Sequence, residues 1–215
     1  MDNLIYILFI SVMAPLLLML ILIRGRSKVT LGYMILGMFL ALFMSEVTGF
    51  IMRNTGEDYT YMTTTITPIM EEAAKALPVL YYACFFSDKK SRIINLAFAT
   101  GVGFAIFENM VVLLQNIDQV TILWAIARGF STALMHGVCT SSIGFCIGFV
   151  RKKRKLFYTG TFALLTLASI YHGIYNMLVL SEQYKLYGFI LPVVTYMILL
   201  LYQLRFYKEE KTAKE

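Results

Sequence analysis

Seven apolar stretches, each of about 20 residues, dominate this sequence. They lie at roughly 4–23, 30–52, 67–86, 93–114, 121–150, 157–180 and 186–206. A helix needs about 20 residues to cross the hydrocarbon core of a bilayer, and it satisfies its own backbone hydrogen bonds there. Only 15 % of the residues are charged, against about 25 % in soluble domains. The sequence therefore predicts an all-α, polytopic transmembrane helix bundle of about seven spans.

Basic residues are divided unequally between the two sides of these stretches. Fifteen Lys and Arg residues fall in the loops and the tail on one side, and only Arg53 and Lys185 fall on the other. Because cytoplasmic loops carry the excess of Lys and Arg, we expect the N-terminus outside and the C-terminus in the cytoplasm. The net charge of +6 arises from these loops, so nucleic-acid binding is not expected. Residues 1–215 are predicted to form a single membrane-embedded domain.

Ionisable side chains and one amide interrupt the apolar stretches. They are Glu46, Glu71, Glu72, Lys75, Glu108, Arg128, His136, His172 and Asn176. A charge at the bilayer centre costs at least about 2.5–3.5 kcal/mol, so a set of this size indicates a function. At about 1.5 Å per residue, the polar groups of four stretches fall roughly 6–14 Å below the outer surface. Four helices are therefore predicted to bring polar groups to one layer.

Helical spacing predicts different roles for the two adjacent glutamates on the third stretch. Adjacent residues on a helix point about 100° apart, so Glu71 and Glu72 are not expected to take the same position. Glu71 and Lys75 are four residues apart, which predicts a local ion pair and leaves Glu72 as the catalytic carboxylate. Thr67 before Pro68 predicts a helix start with Thr67 as the N-cap.

The balance of charge within the stretches leaves several interpretations open. The carboxylates outnumber the cations Lys75 and Arg128 by two, so either some carboxylates are protonated or a divalent cation completes the set. Two glutamates and two histidines would suit zinc. The four candidate ligands are Glu72, Glu108, His136 and His172. An intramembrane protease fits these groups, but a proton-coupled transporter and a non-catalytic binding or immunity protein are alternatives.

Four short motifs follow one another on successive stretches. They are Glu71-Glu72-Ala-Ala-Lys75, Phe104-Ala-Ile-Phe-Glu108-Asn109, Arg128 with His136 and a glycine-containing run, and His172-Gly-Ile-Tyr-Asn176. In this order they resemble the PrsW family of bacterial membrane proteases, which is related to the CAAX prenyl endopeptidases. The motif-bearing core covers about residues 66–180. The CAAX enzymes have a histidine where this chain has Glu108, so the chain is closer to PrsW. It departs from PrsW at Asn176, where that family has Asp.

The resemblance implies a multi-pass endopeptidase of the bacterial plasma membrane. It implies site-1 cleavage of a single-span anti-sigma factor near the extracytoplasmic face, in the response to envelope stress and antimicrobial peptides. The implied site residues are Glu71, Glu72, Glu108, His136, His172 and Asn176, with Lys75 and Arg128 as supporting charges. On this hypothesis Glu72 is the general base. Glu108, His136 and His172 position the water, either directly or through zinc. An asparagine cannot act as a base, so Asn176 is assigned an orienting or oxyanion-binding role.

Overall fold

The computed structural model describes residues 4–22, 28–86, 89–116, 120–150 and 154–212. All regular structure among these residues is helical, which confirms the predicted fold class. In chain order the elements are α1 (Leu4–Leu22), α2 (Lys28–Thr55), the short α3 (Tyr59–Tyr61), a π-helical segment (Met62–Ile66), α4 (Thr67–Phe85), α5 (Lys90–Gln115), α6 (Ile122–Val150), α7 (Arg154–Leu180) and α8 (Lys185–Thr212). Each predicted apolar stretch coincides with one of the long helices.

Among the described residues, five helices are long and apolar enough to cross a membrane, namely α1, α2, α5, α6 and α7. The chain is therefore a multi-pass membrane protein. Helix α4 carries three charged residues within its 19 residues, and the apolar part of α8 described here covers Lys185–Leu201. The count of seven spans and the orientation remain predictions. Six basic residues used for the orientation, Arg24, Arg26, Arg151, Lys152, Lys153 and Lys214, lie outside the described residues.

Helices α5 and α6 form the centre of the bundle. Helix α5 packs against α1, α2, α4 and α6, and α6 packs against α1, α4, α5, α7 and α8. In each of these two helices 72 % of the spanning segment is buried, whereas in α2 the figure is 22 %. Polar side chains on α5 and α6 are therefore kept from lipid, while α2 lies at the edge of the bundle.

Glycines let α5 approach its neighbours at backbone distance. A Cβ atom at Gly101 would overlap the carbonyl oxygen of His136 on α6. A Cβ atom at Gly37 of α2 would overlap the carbonyl oxygen of Thr100, and one at Gly103 would overlap that of Met34. Small residues at helix crossings allow this kind of close packing in membranes. The backbone of α5 therefore fixes the positions of both α2 and α6.

The start of α4 differs from the prediction. Thr67 is not an N-cap, because the chain is already helical from Tyr59 onward. The cap is Asp58, whose Oδ2 accepts hydrogen bonds from the backbone N–H groups of Thr60 (2.9 Å) and Tyr61 (3.2 Å). The π-helical segment joins α3 to α4 without a break, so the acidic pair lies deeper in a helical run than its distance from Pro68 indicated.

Candidate active site

Four helices bring charged and imidazole side chains together in one buried cluster. Its members are Glu71, Glu72 and Lys75 on α4, Glu108 on α5, Arg128 and His136 on α6, and His172 on α7. The imidazole rings of His136 and His172 lie edge to face, with centroids 4.7 Å apart. The structure thus brings together polar groups from the four helices that were predicted to meet.

Lys75 is the internal counter-ion of Glu72. Its Nζ donates to Oε1 of Glu72 at 2.6 Å, and both side chains are fully buried. The same Nζ lies 2.6 Å from Nδ1 of His136. The predicted Glu71–Lys75 ion pair is therefore wrong. Positions three and four residues away share a helix face, and the position of His136 draws the lysine toward Glu72.

Glu72 also fixes the orientation of His172. Its Oε1 lies 2.9 Å from Nδ1 of His172. With Nδ1–H donating to this carboxylate, Nε2 carries the lone pair, and this atom lies 3.8 Å from Oε2 of Glu71. A carboxylate behind a histidine sets the tautomer in which the other ring nitrogen is ready to bind a metal. Glu72 itself is fully buried and is not among the residues that line the neighbouring cleft.

The Glu108 carboxylate accepts hydrogen bonds from both a histidine and an arginine. Its Oε2 lies 2.5 Å from Nε2 of His136, and its Oε1 accepts from a terminal nitrogen of Arg128 at 3.0 Å. With the Lys75 ammonium at Nδ1, His136 is neutral and donates Nε2–H to Glu108. The arginine offsets the charge of Glu108, and part of this carboxylate reaches the cleft.

Glu71 is the carboxylate of the cluster that Lys75 and Arg128 leave unpaired within the described part of the chain. Its Oε2 is buried without a hydrogen-bond partner. One carboxylate oxygen of Glu71 and one ring nitrogen from each of His136 and His172 lie within 4.8 Å of one another. Two imidazoles and one carboxylate form a ligand set of catalytic zinc sites. These residues fit a divalent metal, with His136 exchanging one of its hydrogen bonds for the ion.

The ligand group differs from the one expected. The prediction used Glu72 and Glu108, but the structure brings an oxygen of Glu71 close to one ring nitrogen of each histidine. Glu72 and Glu108 are instead hydrogen-bonded to the rings, Glu72 in a fully buried position and Glu108 on the wall of the cleft. Asn176 lines the cleft, and its Nδ2 donates to the backbone carbonyl of Thr63 in the π-helical segment at 2.9 Å. Its observed bond therefore holds the wall of the cleft.

One buried tyrosine of the site region was missed from the sequence. The hydroxyl group of Tyr175, which is 1 % exposed, lies 3.0 Å from Oγ of Ser131 and 2.8 Å from Oγ1 of Thr132. This network ties α7 to α6 beside His172. The sequence contains 14 tyrosines, and nothing in its pattern distinguishes this one from tyrosines at a membrane interface.

The cluster forms the end of a cleft of about 240 Å³ between α2, α5, α7 and the π-helical segment. Glu71, Glu108 and His172 lie on its wall, and the cleft extends to Tyr59 and Gln115 at the ends of their helices. A carboxylate and a metal-compatible group beside an accessible cavity can support hydrolysis of a bound substrate.

Comparison with known families agrees with this geometry. A family model described as PrsW family intramembrane metalloprotease matches residues 6–203. The chain belongs to the PrsW family. It is therefore an intramembrane peptidase, and of the interpretations that the sequence left open, the protease is confirmed. No curated protein and no solved structure matches the chain significantly.

In this PrsW protein, replacing Glu72 with glutamine should weaken metal binding about 10–100-fold, the usual cost of changing a residue that orients a metal ligand. The amide cannot hold the His172 ring as the carboxylate does. Metal titration of the purified protein measures the change. The control is Glu46→Gln, an exposed glutamate on α2, which should bind like the wild type. Unchanged affinity in Glu72→Gln would contradict the orienting role.

Replacing Asn176 with aspartate, the residue of the PrsW motif, should lower the stability of this PrsW protein by about 1–3 kcal/mol. An ionised carboxylate cannot donate to the Thr63 carbonyl, which is left without its partner. Thermal unfolding in detergent measures the loss. Asn54→Asp is the matched control, because its amide makes the same kind of bond to the Phe50 carbonyl on an exposed surface. Equal melting temperatures for the two variants would contradict a structural role for Asn176.

Proposed function

We propose that this PrsW family protein is a zinc-dependent endopeptidase of the bacterial plasma membrane. It makes the first cut in a single-span anti-sigma factor, near the extracytoplasmic face, and so takes part in the response to envelope stress. The observation that carries the proposal is the buried, unpartnered Oε2 of Glu71 beside two histidines at the end of a cleft.

The ligands in this proposal are Glu71, His136 and His172. A metal held there supplies Lewis-acid chemistry for peptide hydrolysis, and zinc is the ion that one carboxylate and two imidazoles suit best. Behind these ligands, Glu72 keeps the His172 ring in its tautomer, and Lys75 offsets the charge of Glu72.

We assign the general base to Glu108 rather than to Glu72. A base must lie within hydrogen-bond reach of the water that it deprotonates. Glu108 lines the cleft, whereas Glu72 is enclosed behind the histidines. His136 and Arg128 hold the Glu108 carboxylate in place, so that it takes the proton from the attacking water at a fixed position.

The position of the cluster along the helices supports a cut near the outer face. Glu108 lies seven residues before the end of α5 at Gln115, and His172 lies eight residues before the end of α7 at Leu180. Both helices end on the side that has two of the loop Lys and Arg residues rather than fifteen, which is the outer side by the positive-inside rule. The cut then falls in the outer part of the substrate span.

The experiment is cleavage of candidate single-span anti-sigma factors by the purified, zinc-loaded protein in liposomes, with the fragments mapped by mass spectrometry. We expect one cut in the outer third of the substrate span or just outside it. A zinc chelator should stop the reaction, and added zinc should restore it. A cut in the cytoplasmic half would refute the proposed face, and cleavage insensitive to the chelator would refute the metal.

A further inference from the structure

Helix α2 forms another wall of the cleft, and none of the charged residues of the cluster lies on this helix. At the level of Gly37 and Gly103, α2 and α5 touch through their backbones. Farther toward the end of α2 the two helices enclose the cleft instead. A Cβ atom added at Gly49 would have only Arg53 of its own helix nearby, at 3.3 Å. Within the described residues, no atom of another helix therefore lies within 4 Å of this position, although Gly37 on the same helix is in contact with α5.

The α2 residues on this wall are mostly small. We call Ala41, Ser45 and Gly49, which are spaced by four residues and line the cleft, the α2 face. Residues four apart lie above one another on a helix. Their small side chains leave free volume opposite Glu71 and His172.

Apolar side chains accompany this face, within a cleft whose lining also includes polar residues such as Thr48 and Thr63. Met52, Phe107 and Val111 line it from α2 and α5. Glu71, which also lines the cleft, is 8 % exposed, and its Oε2 has no hydrogen-bond partner among the described residues. A group that is buried, polar and unpartnered at the same cavity shows where the reacting end of a ligand belongs. The same cleft therefore holds this polar end and, on the α2 and α5 side, the apolar residues Met52, Phe107 and Val111.

We infer that the α2 face forms a specificity pocket that takes a large apolar side chain of the substrate, such as leucine or phenylalanine, next to the cut peptide bond. The inference rests on the proposed peptidase site. Small residues on a pocket wall admit a large ligand group, and filling that wall excludes it. Discrimination by one or a few methylene groups in an apolar pocket is worth about 10–200-fold.

The test uses two versions of one cleaved membrane substrate, with leucine or alanine next to the cut bond. Wild type should cleave the leucine version with the higher kcat/KM. Gly49→Leu fills the wall and should lower kcat/KM for the leucine version at least about tenfold more than for the alanine version. Gly32→Leu is the matched control, since Gly32 lies on the same helix with no atom near its Cβ position.

The outcomes separate the pocket from the site. The quantity compared is the ratio of kcat/KM for the leucine version to kcat/KM for the alanine version. If this ratio is the same in wild type, Gly49→Leu and Gly32→Leu, the pocket is refuted but the proposed peptidase is not. Absence of cleavage of both substrates by the wild type overturns the proposed function itself. If Gly49→Leu does not fold, Ser45→Val fills the same wall by a smaller amount and must shift the ratio in the same direction, or the pocket is refuted.

Discussion

Replacing Glu71 with glutamine is expected to remove the bound metal and reduce cleavage to background while leaving the helix bundle folded. The amide keeps the shape of the side chain but removes the charge that Lys75 and Arg128 leave unpaired. Loss of a direct ligand should exceed the about 10–100-fold that changes behind the ligands cost. Elemental analysis of the purified variant, together with its melting temperature, measures both parts of the prediction.

The variant Glu108→Gln distinguishes the proposed role of Glu108 as general base from the proposed role of Glu71 as metal ligand. This variant should keep near-stoichiometric metal but lose about 10²–10⁴-fold in kcat, the usual contribution of general acid–base catalysis. Glu46→Gln controls for the loss of a glutamate in a membrane helix and should keep both metal and activity. If Glu71→Gln keeps its metal and Glu108→Gln loses it, the two assignments must be exchanged.

Replacing Gly101 with alanine is expected to cost about 100-fold in activity. The new methyl group would overlap the carbonyl oxygen of His136, so α5 and α6 must separate, and His136 moves with α6. A misplacement of about 1 Å at a reacting group can cost about 100-fold, and overpacking of a core costs about 1–3 kcal/mol of stability.

Gly32→Ala provides the comparison for this variant. It makes the same substitution on an exposed helix with open space around the Cβ position, so it should be neutral or stabilising by about 0.5–1 kcal/mol. Cleavage rate, metal content and thermal unfolding of both variants are measured together. Wild-type activity in Gly101→Ala would show that the α5–α6 contact does not position His136.

The helices could be predicted from the sequence because crossing a bilayer requires a minimum run of about 20 apolar residues for each span. The predicted stretches coincide with the long helices, and the largest difference is the end of α8, predicted at 206 and found at Thr212. Depth could be counted in the same way, since each residue adds about 1.5 Å. The meeting of Glu108, His136 and His172 in one layer follows from these counts.

The rotation of α4 could not be predicted. Lys75 is three residues from Glu72 and four from Glu71, and both spacings place it on the same face. The choice depends on where His136 and His172 stand, and those positions depend on α6 and α7. The sequence therefore identified the acidic pair, but the roles predicted for its two members are reversed in the structure. Glu72 is the ion-pair partner of Lys75, and Glu71 belongs to the metal-compatible group.

Glycine spacing predicts only part of the close helix contacts. Gly144 and Gly148 have the GxxxG spacing that is typical of close helix packing. A Cβ atom at Gly144 would lie 2.7 Å from Cβ of Ala97 on α5, whereas one at Gly148 would make only ordinary contacts, at 3.5 Å or more. Contacts with the backbone of another element lie at Gly37, Gly101, Gly103 and Gly173, which do not have this spacing. A crossing needs one small residue where two helices meet, and this leaves no periodic signal on either helix.

The chain carries its own counter-ions for two of the three carboxylates in the cluster, through Lys75 and Arg128. Small metal-binding domains often fold only when the ion is present. In the described part of this chain Glu71 is the one carboxylate of the cluster that Lys75 and Arg128 do not pair with, so we expect the helices to insert and assemble before an ion binds. A newly made protease would then be inert during its biogenesis, and the supply of metal, rather than synthesis of the chain, would decide when it begins to cut its neighbours.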